Sequence, residues 1–363
     1  MASGSQTDST PETNVLQKGV VGLRNLGNTC YANSAVQALR MMTEMTFLCV
    51  ADNSELKKTQ ETTAGTLFEA YRDLIKTMWS QHNPAYISPD AFWRDMLAAA
   101  DTAGYDHFRG RQPQDSHEFL MFLLDQIFEG TKQQVNFVIQ RPPPVSPTDH
   151  RIYKALDSWK QQFEKQYTPI VDIWFGLFEF ETVCQGCKHK FYRYEPFNTL
   201  KVSVPTHLEE GKELPTIPEM LRADWQPETI EGYACDKCEP IRTTAVRTCK
   251  IWRMPRCLVL MLKRFLPDGR KITTPWRFVE NEPLMFDEFF SEASPERSKN
   301  FKYRLQACID HHGSARGGHY TAQGLSPISG KWGLYDDENC TVIERPYLGS
   351  SSYVLLLRAQ QQE

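Results

Sequence analysis

The sequence lacks both a long apolar run and a charge excess of either sign. A membrane-spanning helix needs roughly 20 consecutive apolar residues, whereas the longest apolar stretches, such as residues 257–262, have the length of a core strand. The 41 Lys and Arg against 45 Asp and Glu give the 363 residues a net charge of −4, far from the basic balance of a nucleic-acid binder. We therefore expect a soluble protein that binds neither membranes nor nucleic acid.

The N-terminus lacks an apolar segment as well. Residues 1–14 are rich in Ser, Thr, Gly and Glu and match neither a signal peptide nor a membrane anchor, so we expect residues 1–19 to form a flexible leader. Without a secretion signal, the ten cysteines are expected in a reducing compartment, where metal binding or catalysis is commoner than disulfide formation. We expect a cytoplasmic location, a nuclear location, or both.

What the sequence does contain is apolar residues in two different periodicities, which predict an α+β fold. Residues 20–130 repeat them at steps of three and four, as helices do, with helix starts at Ser88-Pro89 and Pro113 and a helix end at Gly130. From Trp174 onward they alternate, as strands do. The aperiodic, proline-rich residues 141–147 predict a surface connection between the two halves. Further strands are predicted at 258–265, 301–309, 320–325, 331–335 and 353–357, with a looping interruption at 286–299.

A turn rich in Gly and Asn, residues 22–34, leads into the first predicted helix and places Cys30 at its N-terminus. Unpaired N–H groups and the positive end of the helix dipole favour a thiolate there, which would make Cys30 a nucleophile. Asn25 in the same turn has a side-chain amide that can donate to a developing oxyanion. A lone cysteine at a helix start is more often simply buried, but the polar turn favours catalysis.

A cysteine nucleophile needs a base, and His319 is the best candidate. It follows two glycines and precedes a predicted strand that would hold its ring, although an isolated Gly-His pair often lies solvated at a hairpin edge. An orienting carboxylate is expected about one strand later. Asp336 is the first choice, and Asp337 either shares that role or faces solvent.

Two C-x-x-C pairs, each between predicted strands, indicate a metal site. Four thiolates suit tetrahedral zinc, and a site with four protein ligands is structural because it leaves no position for substrate. A redox-active pair is the alternative, but such sites carry one pair before a helix. The predicted ligands are Cys184, Cys187, Cys235 and Cys238.

Asp115 and Glu118 form an acidic pair at the start of the helix that follows Pro113. Because they are three residues apart, they lie on one helix face and could clamp a basic peptide. Carboxylates are also common in first helical turns simply because the helix dipole favours them. By itself the pair therefore predicts little.

Taken together, these motifs resemble those of the ubiquitin-specific protease family of deubiquitinating cysteine enzymes. Residues 22–34 resemble its cysteine box, residues 114–124 its Q-D-x-x-E-F segment, and residues 317–322 with 332–337 its histidine box. The resemblance runs from about Val20 to Arg358. Two positions depart from the pattern: Ala32 stands where Met is common, and residues 310–313 replace an apolar-His-Ser-Gly run.

The resemblance implies a role for each candidate residue. Cys30 would be the nucleophile, His319 the general base and Asp336 the orienting carboxylate. Asn25 would be the oxyanion donor, while Asp115 and Glu118 would meet the arginine-containing tail of ubiquitin. The two cysteine pairs fall where the family carries its zinc-binding fingers.

The resemblance also implies a fold and an activity. The fold would be the papain-like hand, a single catalytic domain over residues 20–363 with a helical thumb at about 20–135, zinc-bearing fingers at about 175–255 and a β-rich palm. The activity would be thiol isopeptidase cleavage after the C-terminal glycine of ubiquitin, by a monomer whose partners are ubiquitin and ubiquitinated proteins. A protease for another Gly-Gly-ending modifier and a non-catalytic ubiquitin-binding module are the alternatives; a zinc-ribbon nucleic-acid binder is disfavoured because no basic, aromatic-interleaved stripe accompanies the cysteines.

Overall fold

The computed structural model describes residues 19–51, 54–80, 84–110, 112–279, 282–314 and 317–360. The predicted leader, apart from Gly19, lies outside these residues. The α+β prediction is confirmed, since helices dominate the first half of the chain and strands the second half. No helix in the described part is long and apolar enough to cross a membrane.

Helices account for most of the chain before residue 175. In the described residues, five α-helices precede the proline-rich connection, and the first of them begins at Cys30, the candidate nucleophile. Three more follow the connection. The helices are α1 (Cys30–Leu39), α2 (Thr43–Val50), α3 (Thr63–Met78), α4 (Asp90–Ala103), α5 (Ser116–Thr131), α6 (Pro147–Phe163), α7 (Pro169–Trp174) and α8 (Ile217–Asp224).

Strands account for most of the remainder. Two short parallel strands lie within the part predicted to be all-helical, which corrects that prediction. The strands are β1 (Gly22–Leu23), β2 (Tyr86–Ile87), β3 (Gly176–Cys184), β4 (Lys190–Phe197), β5 (Thr199–Ser203), β6 (Glu228–Ala234), β7 (Arg242–Arg253), β8 (Cys257–Lys263), β9 (Leu284–Met285), β10 (Lys302–Ser314), β11 (Gly317–Leu325), β12 (Trp332–Asp336), β13 (Asn339–Ile343) and β14 (Ser352–Ala359).

The chain divides into two compact units. The first unit consists of the chain up to Thr131 together with residues 306–347. The second unit consists of residues 132–305 together with the chain from Leu348 onward. In the first unit β11 pairs antiparallel with both β10 and β12, and β12 pairs with β13. In the second, β4, β3, β7 and β6 form an antiparallel sheet in that order, while β8 pairs with β14 and β5.

Helix α1 is the centre of the first unit. All ten of its residues are buried, because small side chains such as Ala32 and Ala35 let it lie closely against β11 and α5. Tyr31 anchors its first turn in an aromatic cluster, with its ring 5.9 Å from Phe108 and 5.5 Å from Phe119. The helix therefore holds its N-terminal residue rigidly against the strand that carries His319.

Several element boundaries differ from the predicted ones. Helix α4 begins at Asp90, so Pro89 is the cap rather than the first helical residue. The predicted interruption at 286–299 contains two 3-10 turns. Helix α6 was not predicted, although the sequence carries its start signal: the Ser146 hydroxyl accepts from the Asp149 N–H, and the Asp149 carboxylate accepts from Ser146.

Candidate active site and metal centre

The turn before α1 is built by the Asn25 side chain. Its Oδ1 accepts hydrogen bonds from the N–H groups of Gly27 at 2.9 Å and Thr29 at 3.1 Å. Gly27 and Asn28 both have positive φ values, 107° and 55°, which glycine and asparagine tolerate better than other residues. The Gly- and Asn-rich sequence therefore folds into a tight polar loop that ends where Cys30 begins the helix.

Cys30 is buried, with 6% of its surface exposed. Burial raises the pKa of the Cys30 thiol above its ordinary value, and the nearby Asp337 charge raises it further, whereas a hydrogen bond from the Tyr320 N–H lowers it. The expectation that the helix N-terminus alone would favour a thiolate is thus corrected, because loss of solvent outweighs the backbone donors. Burial therefore favours the thiol form of Cys30 over the thiolate.

The predicted base, His319, precedes a residue whose backbone contacts Cys30. The Tyr320 N–H that reaches the Cys30 sulfur belongs to the residue after His319, and His319 Nε2 lies 2.6 Å from Asp336 Oδ1. The bond forms because β11 and β12 are antiparallel neighbours, with Ala322 opposite Tyr335 in the register. Nε2 is thus hydrogen-bonded to the carboxylate, and Nδ1 is the other ring nitrogen of His319.

Asp337 takes a different position from its neighbour. Its backbone is left-handed, with a φ of 49°, which turns its carboxylate towards two side-chain amides. Asn25 Nδ2 donates to one oxygen and Asn33 Nδ2 to the other, each at 2.8 Å. The Leu23 N–H also donates to the Asp337 carbonyl at 2.8 Å. Asp337 therefore joins the end of β12 to the loop that precedes Cys30 rather than facing solvent.

The acidic pair lies at the start of α5. Asp115 accepts a hydrogen bond from the Glu118 N–H at 2.9 Å, the pattern of a helix cap. Glu118 Oε1 lies 3.3 Å from His107 Nε2. Close by, the N–H of Ser116, at the start of α5, donates a hydrogen bond to the Tyr320 hydroxyl. Burial raises the pKa of that hydroxyl. The pair thus has a structural role as well, and its substrate role stays a prediction.

The two departures from the family pattern are both accommodated. Ala32 is buried in α1 with 2% of its surface exposed. Asp310 is equally buried and accepts from Gln323 Nε2 at 2.6 Å. His312 lies opposite His319 in the β10–β11 register. Neither departure displaces the side chains grouped around Cys30.

The four predicted metal ligands come from two hairpin turns. Cys184 ends β3 and Cys187 lies in the turn to β4, while Cys235 and Cys238 lie in the turn between β6 and β7. Because β3 and β7 are paired neighbours, the two turns lie side by side. The structure therefore brings together two cysteine pairs that are separated by 47 residues of chain.

The cluster fits a zinc ion. All four sulfurs lie within 4.8 Å of one another, with Cys184 and Cys238 at 3.7 Å and Cys187 and Cys235 at 3.6 Å. Tetrahedral zinc with Zn–S bonds of about 2.3 Å separates its sulfurs by about 3.8 Å. The Thr243 hydroxyl lowers the pKa of Cys184 to about 6, whereas contact with the other sulfurs raises that of Cys238 to about 12. The four sulfurs could therefore hold one metal ion.

Three residues of the site were not predicted. Asn33 and Tyr320 hold the groups around Cys30, and His107 meets Glu118. Asn33 is three residues after Cys30 and therefore on nearly the same helix face, which is a signal that the sequence contains. His107 has no such signal, since it reaches Glu118 only through packing.

A family model described as ubiquitin carboxyl-terminal hydrolase matches residues 21–357. Ubiquitin carboxyl-terminal hydrolase 2 of Rattus norvegicus is 29% identical over 366 residues, which cover 98% of this chain and 57% of the relative. The Gallus gallus protein of the same name is 30% identical over 354 residues, or 96% of this chain and 95% of the relative. The chain thus spans little more than half the length of the rat protein.

A solved SAGA DUB module containing Ubp8, Sgf11, Sus1 and Sgf73, bound to monoubiquitin, has a similar fold. The TM-score is 0.68 at 21% identity, and the match covers 98% of this chain and 72% of that one. At this identity the likeness concerns the fold alone. It confirms the predicted mixed fold, and the four-cysteine cluster is compatible with a zinc-binding finger.

Proposed function

The chain belongs to the ubiquitin carboxyl-terminal hydrolase family, and from that membership we propose that it is a thiol isopeptidase that hydrolyses the bond after the C-terminal glycine of ubiquitin. The observation that supports this most directly is the 2.6 Å bond between His319 and Asp336, with the N–H of the next residue on the Cys30 sulfur. A buried thiol, an imidazole and an orienting carboxylate are the groups that nucleophilic acyl transfer needs.

Acylation begins with the thiol of Cys30. Its proton passes to His319 Nδ1 as the sulfur attacks the glycine carbonyl carbon, and the carbonyl oxygen becomes an oxyanion. The Cys30 N–H and the second N–H of the Asn25 amide would hold that oxyanion, since the first donates to Asp337. Collapse breaks the C–N bond while the imidazolium protonates the leaving lysine amine, which leaves a thioester.

Deacylation repeats the proton transfers with water. His319 Nδ1 takes a proton from the water that attacks the thioester carbonyl, and the thiolate leaves and recovers a proton from the imidazolium. Asp336 stabilises the imidazolium in both halves of the reaction and keeps Nδ1 directed at the sulfur. The products are a free ubiquitin carboxylate and the resting thiol.

The remaining assignments belong to the same proposal. Cys184, Cys187, Cys235 and Cys238 would hold zinc, which when bound supplies a structural cross-link between two hairpins. Asp115 and Glu118 would meet the arginine-containing tail of ubiquitin. The proposal also includes a monomer that acts on ubiquitinated proteins in the cytoplasm or nucleus; the ubiquitin-bound neighbour in fold supports ubiquitin as its partner.

Cleavage of a ubiquitin C-terminal fluorogenic amide tests the proposal. We expect turnover by the wild-type chain and none by Cys30→Ala, with Cys340→Ala, a half-buried thiol of the same unit, as the matched control. Electrophilic probes made from ubiquitin and from other Gly-Gly-ending modifiers should label Cys30 with a preference for ubiquitin. Turnover by Cys30→Ala, or labelling by another modifier only, would overturn the assignment, and ubiquitin binding without labelling would leave a binding module.

A further inference from the structure

His107 lies against the acidic pair at the start of α5. Its Nε2 is 3.3 Å from Glu118 Oε1, and the two side chains expose 40% and 48% of their surface. Asp115, the other member of the pair, accepts from the Glu118 N–H. One imidazole therefore shares a small, solvent-accessible surface with two carboxylates.

The position of His107 is fixed by its surroundings. Gln114 Nε2 donates to the His107 carbonyl at 2.8 Å, and the imidazole lies 4.3 Å from the ring of Phe108. Phe108 is fully buried and stacks on Tyr31, the residue after Cys30. Contact between His107 and Glu118 is thus part of the fold of the first unit, not the chance position of a surface side chain.

Among the described residues, the other charged or titratable groups near His107 belong to its own 3-10 turn, to Tyr105 and to α5. Asp106 and Arg109 lie in the same 3-10 turn and pair with each other at 3.4 Å, and Arg109 also pairs with Asp101. The ring of Tyr105 lies 5.9 Å from the imidazole. Burial raises the pKa of Tyr105, as do the charges of Asp125 and Glu118 on α5, so this phenol is neutral wherever histidine titrates. Glu118 is therefore the ion-pair partner of His107.

We propose that His107 is a positioning residue of the substrate site, which holds Glu118 and competes for its carboxylate with an arginine of the substrate. The inference rests on the proposed function, in which Asp115 and Glu118 meet the ubiquitin tail. A protonated imidazole forms an ion pair with Glu118, whereas a neutral one offers at most a hydrogen bond. Histidine changes charge between about pH 5 and 8, so Glu118 becomes more available to arginine as the pH rises.

The expected effect is moderate because the pair is exposed. Exposed ion pairs change an equilibrium by about 1.4- to 5-fold. We expect KM for a ubiquitin substrate to rise about 2- to 5-fold between pH 7.5 and pH 5.5 through this contact, while kcat follows the groups at Cys30. A KM effect separable from kcat distinguishes positioning of the substrate from a general loss of structure.

The test measures KM and kcat of the full chain on a ubiquitin fluorogenic amide between pH 5.5 and 8. In His107→Gln the rise of KM at low pH should disappear. His150→Gln, an exposed histidine on α6, is the matched control and should keep the wild-type profile. Binding of ubiquitin to Cys30→Ala, with and without His107→Gln, gives the same comparison without turnover.

The outcomes separate this inference from the proposed function. If the wild-type chain neither cleaves nor binds ubiquitin, the proposed function fails. If it cleaves ubiquitin but His107→Gln shows the same pH dependence of KM as the wild type, only the role of His107 is refuted. A substrate whose tail arginines are replaced by glutamine should remove the difference between wild type and His107→Gln; a difference that persists would also refute it.

Discussion

The side-chain amide of Asn25 donates to the carboxylate of Asp337 at 2.8 Å, across 312 positions of the chain. The same asparagine builds the turn before Cys30 through its Oδ1, and the same aspartate follows Asp336, which is hydrogen-bonded to His319. One hydrogen bond therefore joins the loop that holds the thiol to the strand end that holds the imidazole. Asn33 reinforces it from α1.

We expect Asp337→Ala to lower kcat about 10- to 100-fold with a smaller change in KM, because partners that orient active groups are typically worth that much. The loss of a carboxylate that two amides share should also destabilise the fold by about 1–3 kcal/mol. Kinetics and thermal unfolding of the same protein check both effects. Glu344→Ala, which removes an exposed carboxylate just after β13, is the control. Equal effects from the two substitutions would contradict the proposed role of Asp337 in joining the two segments.

Compared with Asp337→Ala, Asp336→Ala should lower kcat more and the stability of the fold less. Without its carboxylate the His319 ring loses its orientation and its charge partner, and kcat should fall about 1,000- to 10,000-fold. Asp336→Asn keeps the shape but removes the charge and should lose about as much, since the amide can hold the imidazole in the wrong tautomer. Asp73→Asn on α3, exposed and in the same unit, should be near wild type. Full activity in Asp336→Ala would show that another group orients His319.

The raised pKa of Cys30 predicts slow alkylation of the free chain at neutral pH. A raised thiol pKa means less thiolate at any given pH, so the rate with iodoacetamide should keep increasing above about pH 8.5, the ordinary cysteine value. Mass spectrometry of the modified Cys30 peptide measures this rate separately from the other nine cysteines. A midpoint near pH 6 would show that the resting thiol is already ionised.

Removal of one metal ligand should unfold the second unit before it affects chemistry. Cys235→Ser is expected to lose bound zinc and to unfold at a lower temperature, because binding energy at a structural zinc site is folding energy. Cys249→Ser, a half-buried thiol on β7 outside the cluster, should keep its metal. Elemental analysis measures the bound zinc, and thermal unfolding measures the stability of each variant. Absence of zinc from the wild-type protein would refute the metal site.

Much of the candidate site was visible in the sequence because its chemistry is local. The polar turn before Cys30, the two C-x-x-C pairs and the acidic first turn of α5 each depend on neighbours within a few residues, and the structure places each where the pattern predicts. Helix α6 was missed although its capping box was readable, since the adjacent prolines were interpreted as a connection. The boundaries of α4 and α5 moved by one or two residues, as capping geometry decides them.

The sequence by itself determined the kinds of groups and the elements that carry them: a thiol at a helix start, an imidazole on a strand, two cysteine knuckles and an α+β fold. The tertiary structure alone decided which aspartate meets His319 and which one binds Asn25 and Asn33. It also decided that burial raises the pKa of Cys30 and that His107 reaches Glu118. The reason is physical: burial, strand register and contacts between distant segments depend on how the whole chain packs, and no local pattern encodes them.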